Sequence, residues 1–295
     1  MTTFKEQSEI YLKRGAERKR KPFRPATLKT YKSQIETNLL PLIGAYPLED
    51  VGNKAVKAVV AELVAQGLSA KTIQDNLNLI KGIVASAVNE NGDQLYPRTW
   101  NSEHIDAPAV ENQKQPTFSA QALQDAISKA GEGDKALYAI LAGTGLRIAE
   151  ALGVTGSVMC EFDNYFDGEK IIVRGQRNGS IVGPTKTKAG NREIDLHPEL
   201  ARYLRETFKS LTGYMFPGHV NGYRKRLEAN GIQGGFHSFR RFRLTHLDGA
   251  NVPQGLQRFW TGHAAVDVHE SYVKSGEKLQ ERKEWACKAG LGFAL

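Results

Sequence analysis

From Thr27 the stretch TLKTYKSQIETNLLPLIG repeats apolar residues at helical spacing, with Leu28, Tyr31, Ile35 and Leu39 on one face and Pro41 and Gly44 as stop signals. The same period returns in NKAVKAVVAELVAQG, stopped by Gly67. It returns again in SAKTIQDNLNLIKGIVASAV, where Ile73, Leu77, Ile80 and Ile83 or Val84 keep the stripe and Asn91-Gly92 closes it. Residues 1–102 therefore read as a small all-helical domain. Over 103–117 the periodicity lapses and Pro108 and Pro116 interrupt the chain, which predicts a linker. Residues 118–295 read as a second domain, opening with helices in FSAQALQDAISKAG and DKALYAILAGTGLRIAEALGV, capped by Ser119 and Asp134. The period changes only in residues 169–196, EKIIVRGQRNGSIVGPTKTKAGNREIDL, which predict strands with hairpin turns at Asn178-Gly179 and Gly190-Asn191. Helices resume at His197 and run nearly to the end, so the expected class is mainly α with a small antiparallel β-sheet.

Charge then narrows the partner. Forty Lys+Arg against 32 Asp+Glu give a net charge of +8 over 295 residues, which points to a polyanion such as nucleic acid. Residues 1–32 alone hold ten basic residues against three acids, predicting a basic arm on DNA phosphates with Arg18, Lys19, Arg20, Lys21, Arg24 and Lys29 as contacts, joined by Lys71 and Lys188 further along. The two cysteines, Cys160 and Cys287, lie in no metal-ligand spacing, so neither a disulfide scaffold nor a structural zinc is expected. Met1 is followed by no signal-peptide pattern, no apolar run is long enough to cross a membrane, and no separate domain is expected ahead of Thr27. These features place the protein in the cytoplasm, associated with the nucleoid.

Four segments of the second domain carry polar residues that packing alone does not request. GTGLRIAE sets Arg147 and Glu150 one helical turn apart; TKTKAGNREIDL puts basic residues in a turn between strands; FHSFRRFRLTH has His237 and Arg240 on one helical face; TGHAAVDVHESYVK carries His263 and, nine residues on, Tyr272. Two arginines, a lysine, two histidines and a tyrosine, with no carboxylate cluster suited to a divalent metal, suit phosphoryl transfer. Guanidiniums can clamp the non-bridging oxygens as charge develops, the task of Mg²⁺ in metal-dependent enzymes. An attacking phenol needs a proton acceptor and a leaving 5′-oxygen a donor, which a histidine and a lysine supply.

In this order the boxes TGLRIAE, TKTK, HSFR, TGH and Tyr272 resemble the tyrosine recombinases, or phage integrases, and the helical segments ahead of them look like that family's SAM-like core-binding domain. The resemblance implies a C-shaped DNA clamp of the helical domain and a mixed α/β-hairpin catalytic domain. It further implies a site-specific recombinase working on double-stranded attachment sites as a homo-tetramer through a Holliday junction. Tyr272 would form a 3′-phosphotyrosyl bond without ATP, metal or other cofactor. Arg147, Arg240 and His263 would hold the phosphate, His237 would help accept the tyrosine proton, Glu150 would orient the arginine from behind, and Lys186, with Lys188 as the other candidate, would protonate the 5′-oxygen. Thr261 stands where the family usually has leucine, and the 39-residue separation of Arg147 from Lys186 leaves room for an extra strand or loop. His269 reads as solvent-facing, and Trp260 and Trp285 read as core. The tail after Tyr272 packs either on its own domain or on a neighbouring protomer. Two rival functions are a type IB topoisomerase-like enzyme, which would relax any supercoiled plasmid, and a non-catalytic DNA-binding module, which would form no covalent adduct.

Overall fold

A computed structural model describes residues 2–111, 116–232, 234–263 and 275–295. The chain divides into two compact units, Met1–Gln113 and Lys114–Leu295. Each has its own hydrophobic core.

The first unit is helical, as the apolar period predicts: α1 (Phe4–Glu17), α2 (Pro25–Gln34), α3 (Leu40–Ile43), α4 (Asn53–Ala65), α5 (Ala70–Ala85) and α6 (Ser102–Ile105). Ser69 caps α5 by accepting from the Thr72 amide, and Ile73, Leu77, Ile80, Ile83 and Val84 are buried along one stripe. Pro41 does not stop the second helical segment. A π-turn, Ile35–Leu39, precedes it, and Pro41 falls in the first turn of α3, where its missing N–H costs no intrahelical bond. Helix α5 ends at Ala85 rather than at Asn91-Gly92, which instead turns a short bridge between Val88 and Gln94.

The basic segment expected as an arm is in large part a helix of this unit. Thr3 and Glu6 form a capping box at the start of α1, and the Phe4 ring is fully buried. Arg18, Lys19, Arg20 and Lys21 are exposed in the connection from α1 to α2, Arg24 caps α2, and Lys29 is exposed on it. Lys71, in the first turn of α5, is ion-paired with Asp75. The stretch 103–117 is not uniformly irregular: α6 occupies its start and buries Ile105 in the first core.

In the second unit α7 (Ala120–Lys129), capped by Ser119, leads into α8 (Glu132–Thr144), whose residues from Ala136 to Thr144 are all buried. The N-cap of α8 is Gly131 and not Asp134; Asp134 lies in the first turn and accepts from Arg226 Nε with both carboxylate oxygens, at 3.0 and 2.8 Å. The four-residue α9 (Ile148–Ala151) follows, then β1 (Val154–Thr155), β2 (Asn164–Phe166), β3 (Lys170–Val173), β4 (Gly175–Asn178), β5 (Ile181–Pro184) and β6 (Arg192–Asp195). One sheet runs β1-β2-β3-β6, antiparallel except for the two-residue parallel pair β1–β2; β4 and β5 form a separate hairpin turned at Gly179. The Gly190-Asn191 turn is therefore no hairpin, because β6 returns to pair with β3, with Val173 opposite Arg192 and Ile171 opposite Ile194. The long interval before Lys186 holds this extra hairpin and the strands β1 and β2.

Helices α10 (Pro198–Thr207), α11 (Val220–Ala229), α12 (His237–Gly249) and α13 (Gln254–Thr261) come next, and a C-terminal helix spans Leu279–Ala289. The described tail packs on its own unit. Ala286 and Leu291 are buried in its core, Arg243 Nη1 donates to the Gly290 carbonyl at 2.7 Å, and His246 Nε2 lies 2.8 Å from the Ala289 carbonyl. Trp260 is buried as expected, and Trp285 is half-buried against the same core. No helix among the described residues is long and apolar enough to cross a membrane.

Because α1 belongs to the first core, Phe4→Ala should lower the stability of that unit by about 3–5 kcal/mol, measured by chemical denaturation. An unchanged midpoint would mean that α1 is peripheral after all.

Candidate active site

Helix α8 stops at Gly145, whose φ of 70° lies in the left-handed region that closes a helix without Cβ strain. The chain then re-enters α9 with Arg147 as N-cap. Glu150 folds back over this cap: one carboxylate oxygen accepts from the Arg147 amide at 3.0 Å and the other from Arg147 Nη1 at 2.7 Å. The Glu150 carboxylate is almost wholly buried, whereas the Arg147 side chain keeps a quarter of its surface exposed. Glu150 thus holds the arginine from behind and leaves its outer edge available.

Arg192, on β6, had not been anticipated, and it links the first box to the segments flanking two others. Its Nη2 donates to Glu150 Oε2 at 3.0 Å, its Nη1 to the Gly190 carbonyl at 2.8 Å, and its Nε to the Trp260 carbonyl at 2.6 Å. Burial alone would raise the Glu150 pKa, but Arg192 and Arg147 together outweigh it and hold the carboxyl below its ordinary value.

Arg240, buried in α12, donates from Nη1 to the Gly145 carbonyl at 2.8 Å and from Nη2 to the Thr261 carbonyl, with His263 Nε2 at 2.9 Å from the same Nη2. Burial, and then the neighbouring Arg147, bring its pKa down to about 10, so it stays charged at neutral pH. A guanidinium has no acceptor, so His263 Nε2 must accept and the imidazole proton sits on Nδ1, which faces Thr261 Oγ1 at 3.5 Å. The electrostatics agree: burial first, then Arg240, Arg147, Arg192 and Arg258, lower the His263 pKa and keep the ring neutral. Gly262 makes this approach possible. Its φ is 67°, and a Cβ there would lie 2.9 Å from Arg192 Nη1 and 3.0 Å from the Ala189 carbonyl.

His237 is the first residue of α12 and is exposed; partial desolvation by its surroundings, then Arg240, Arg241, Arg147 and Lys186, lower its pKa, leaving a neutral base in a cationic neighbourhood. Beside it opens a cleft of about 700 Å³, lined by Ile148, Arg224, Gly234, Gly235 and Phe236 among others. Lys186 and Lys188 are both exposed in the connection from β5 to β6, and Lys186 is among the charges that lower the His237 pKa. The buried Thr185 fixes the start of this loop by donating towards the Thr187 carbonyl and Asn191 Oδ1, both at 2.8 Å. Thr261, in the position expected to be leucine, is fully buried and donates to the Gln257 carbonyl at 2.7 Å. Tyr272 and His269 lie outside the described residues.

Arg147, Glu150, Arg240, His237 and His263 therefore converge, with Lys186 at the margin and Arg192 behind. The cluster can bind a dianion and accept a proton. Among the described residues there is no group of three or more His, Cys, Asp or Glu side chains able to hold a metal ion. Nothing in this geometry involves Arg18, Lys19, Arg20, Lys21, Arg24, Lys29 or Lys71, which belong to the other unit.

Glu150→Gln should leave Arg192 buried without its counter-charge and cost about 3–5 kcal/mol. Because the folded pKa of Glu150 is depressed, its contribution is full above the ordinary value of 4.5 and is lost as pH falls through the lower folded value. Acid unfolding of wild type should therefore show a pH dependence below 4.5 that the variant lacks in part; superimposable curves would contradict the assignment.

No protein-family model matches the chain, and no curated protein sequence matches it. Solved structures do. The integrase of transposon Tn1549, in complex with a circular intermediate DNA, aligns at a TM-score of 0.69 with 18% identity, covering 95% of this chain and 100% of that one. A lambda integrase dimer bound to a COC′ core site aligns at 0.61 with 16% identity, covering 95% of each chain. A lambda integrase tetramer bound to a Holliday junction aligns at 0.64 with 14% identity, covering 90% of this chain and 78% of that one. With a mainly helical architecture and a small sheet whose β6 carries Arg192 behind the cationic cluster, the chain has the fold of the tyrosine recombinases.

Proposed function

We propose that the protein is a site-specific DNA recombinase of the integrase type, which cleaves and rejoins duplex DNA through Tyr272. The observation that carries this reading is the convergence of Arg147, Arg240, His237 and His263 in one cationic cluster, in a fold otherwise solved on integrase DNA complexes. Tyr272 attacks phosphorus, the bond from phosphorus to the tyrosine oxygen forms, and the bond to the 5′-oxygen breaks. The tyrosine proton passes to His237, whose depressed pKa keeps it ready to accept. Lys186 gives a proton to the leaving 5′-oxygen, with Lys188 as the other candidate; the charge of Lys186 is felt at His237. Arg147 and Arg240 balance the charge that develops on the non-bridging oxygens, and His263 supports them after releasing Arg240 Nη2. Reversal by a 5′-hydroxyl from another strand conserves the phosphodiester energy, so no ATP is required.

The division of the chain into a DNA-clamping helical domain (1–102), a linker (103–117) and a catalytic domain (118–295) belongs to this reading. So do phosphate contacts by Arg18, Lys19, Arg20, Lys21, Arg24, Lys29, Lys71 and Lys188, and work on attachment sites in the cytoplasm at the nucleoid. Assembly as a homo-tetramer on paired sites follows the lambda integrase tetramer on a Holliday junction.

Nicked duplexes cut from DNA flanking the gene, incubated in EDTA, should trap a covalent adduct with wild type and none with Tyr272→Phe. Duplex binding without an adduct would favour a DNA-binding module, and relaxation of any supercoiled plasmid would favour a topoisomerase. Arg240→Ala should slow adduct formation by about 100-fold or more with a modest loss of duplex affinity; equal losses in both would contradict its service to the transition state. The acid limb of the single-turnover rate should lie below pH 6.5, the ordinary histidine value, because His237 titrates lower. A limb above that value would remove His237 as the base.

A further inference from the structure

The two described ends of the interval that carries Tyr272 meet at one carboxylate. Asp195, the last residue of β6, is buried, with 6% of its surface exposed. Its Oδ2 accepts from Trp260 Nε1 at 2.9 Å and from Arg282 Nε at 2.8 Å, and its Oδ1 accepts from Arg282 Nη2 at 3.0 Å. Trp260 precedes Thr261, Gly262 and His263, so this bond holds the end of α13 from which the third box departs. Arg282 lies beyond Tyr272, on the C-terminal helix, and its Nη1 donates to the carbonyl of Gly276, where the described chain has just resumed. Glu193 Oε2 completes the guanidinium at 2.7 Å, and the Phe259 ring lies 5.0 Å from its central carbon.

We infer that Asp195 is a positioning residue, a shared anchor that fixes where the chain leaves at His263 and where it returns at Gly276. The inference rests on Tyr272 being the nucleophile for its catalytic consequence, but not for its structural one. Alternation along β6 explains the arrangement: Arg192 and Ile194 face the side of Glu150 and the core, while Glu193 and Asp195 face the C-terminal helix. A single strand thus holds the phosphate-binding arginine through one face and both ends of the tyrosine interval through the other. A planar, multidentate guanidinium suits this task, because it can bind two carboxylates and a carbonyl at once, which an ammonium on a flexible stem cannot.

The test uses the full chain with Trp260→Phe, which keeps the ring and deletes one donor, and separately Arg282→Lys, which keeps the charge. Hydrogen exchange of the unliganded protein should show faster opening, by about tenfold, at both Thr261–His263 and Ser275–Glu277 in each variant, because the two ends share one acceptor. Loosening confined to the substituted end, or spread evenly over the domain, would overturn the shared anchor. On duplexes recovered from the wild-type adduct, the rate of adduct formation at saturating DNA should fall about 10- to 100-fold with affinity changed less than about twofold. An unchanged rate would overturn the catalytic consequence. Absence of any wild-type adduct would remove the nucleophile reading and that consequence with it, while the exchange result would still decide the anchor.

Discussion

The Glu150 carboxylate, buried between Arg147 and Arg192, brings one negative charge into a neighbourhood that also holds Arg240. Desolvating three guanidiniums side by side would be prohibitive without it, since each buried charge costs several kcal/mol unless paired and hydrogen-bonded. The pairing is not symmetric. Arg192, with 1% of its side chain exposed, is spent on protein groups, whereas Arg147 is held by one edge only. A single carboxylate thereby sorts two like residues into a structural one and one that can meet a ligand. An apolar substitute could fill the same volume but could not aim an arginine.

Buried arginines fasten the rest of the domain by the same chemistry. Arg177 donates to the carbonyls of Leu152 and Phe216, Arg240 to those of Gly145 and Thr261, and Arg243 to that of Gly290. Each links segments far apart in sequence. Carbonyls at helix ends lack intrahelical partners, and a guanidinium with five donors can satisfy several at once. Part of the positive charge therefore holds the domain's own loops, which is why counting the lysines and arginines of the sequence overstates those available to meet a polyanion.

Legibility in the sequence followed the length of each pattern. Helices α4 and α5 could be read because several apolar residues recur on each, and Ser69 and Ser119 announced their helices by their side chains. Helix α1 was obscured because its fully buried positions are Phe4, Gln7, Ser8 and Gly15, with Tyr11 and Leu12 only partly buried against the core and basic residues between them. Strands β1 and β2, two and three residues long, are too short for any alternation to register. In the candidate site, residue types and spacing singled out Arg147, His237, Arg240 and His263, which the fold brings together. Arg192 and Asp195 were missed because charged residues at a strand's buried positions look like solvent-facing ones until their partners, Glu150 and Arg282, arrive from distant segments. A strand reading R-E-I-D with only one apolar position was the available signal.

The β4–β5 hairpin is an excursion between β3 and β6, two strands that pair directly with each other. Everything that departs after Val173 and returns at Arg192 is topologically an insertion, with Lys186 on it, and Arg177 of β4 ties it to the Leu152 and Phe216 carbonyls. The register of β3 and β6 sets where Arg192 leaves the strand, and the Gly190 carbonyl on the excursion's return limb receives its Nη1, so it is changes confined to the β4–β5 turn that would leave the arginine in place. The exposed loop that carries Lys186 and the buried strand that carries Arg192 are thus adjacent but distinct segments, and the exposed one is where natural drift or deliberate grafting meets fewer packing constraints.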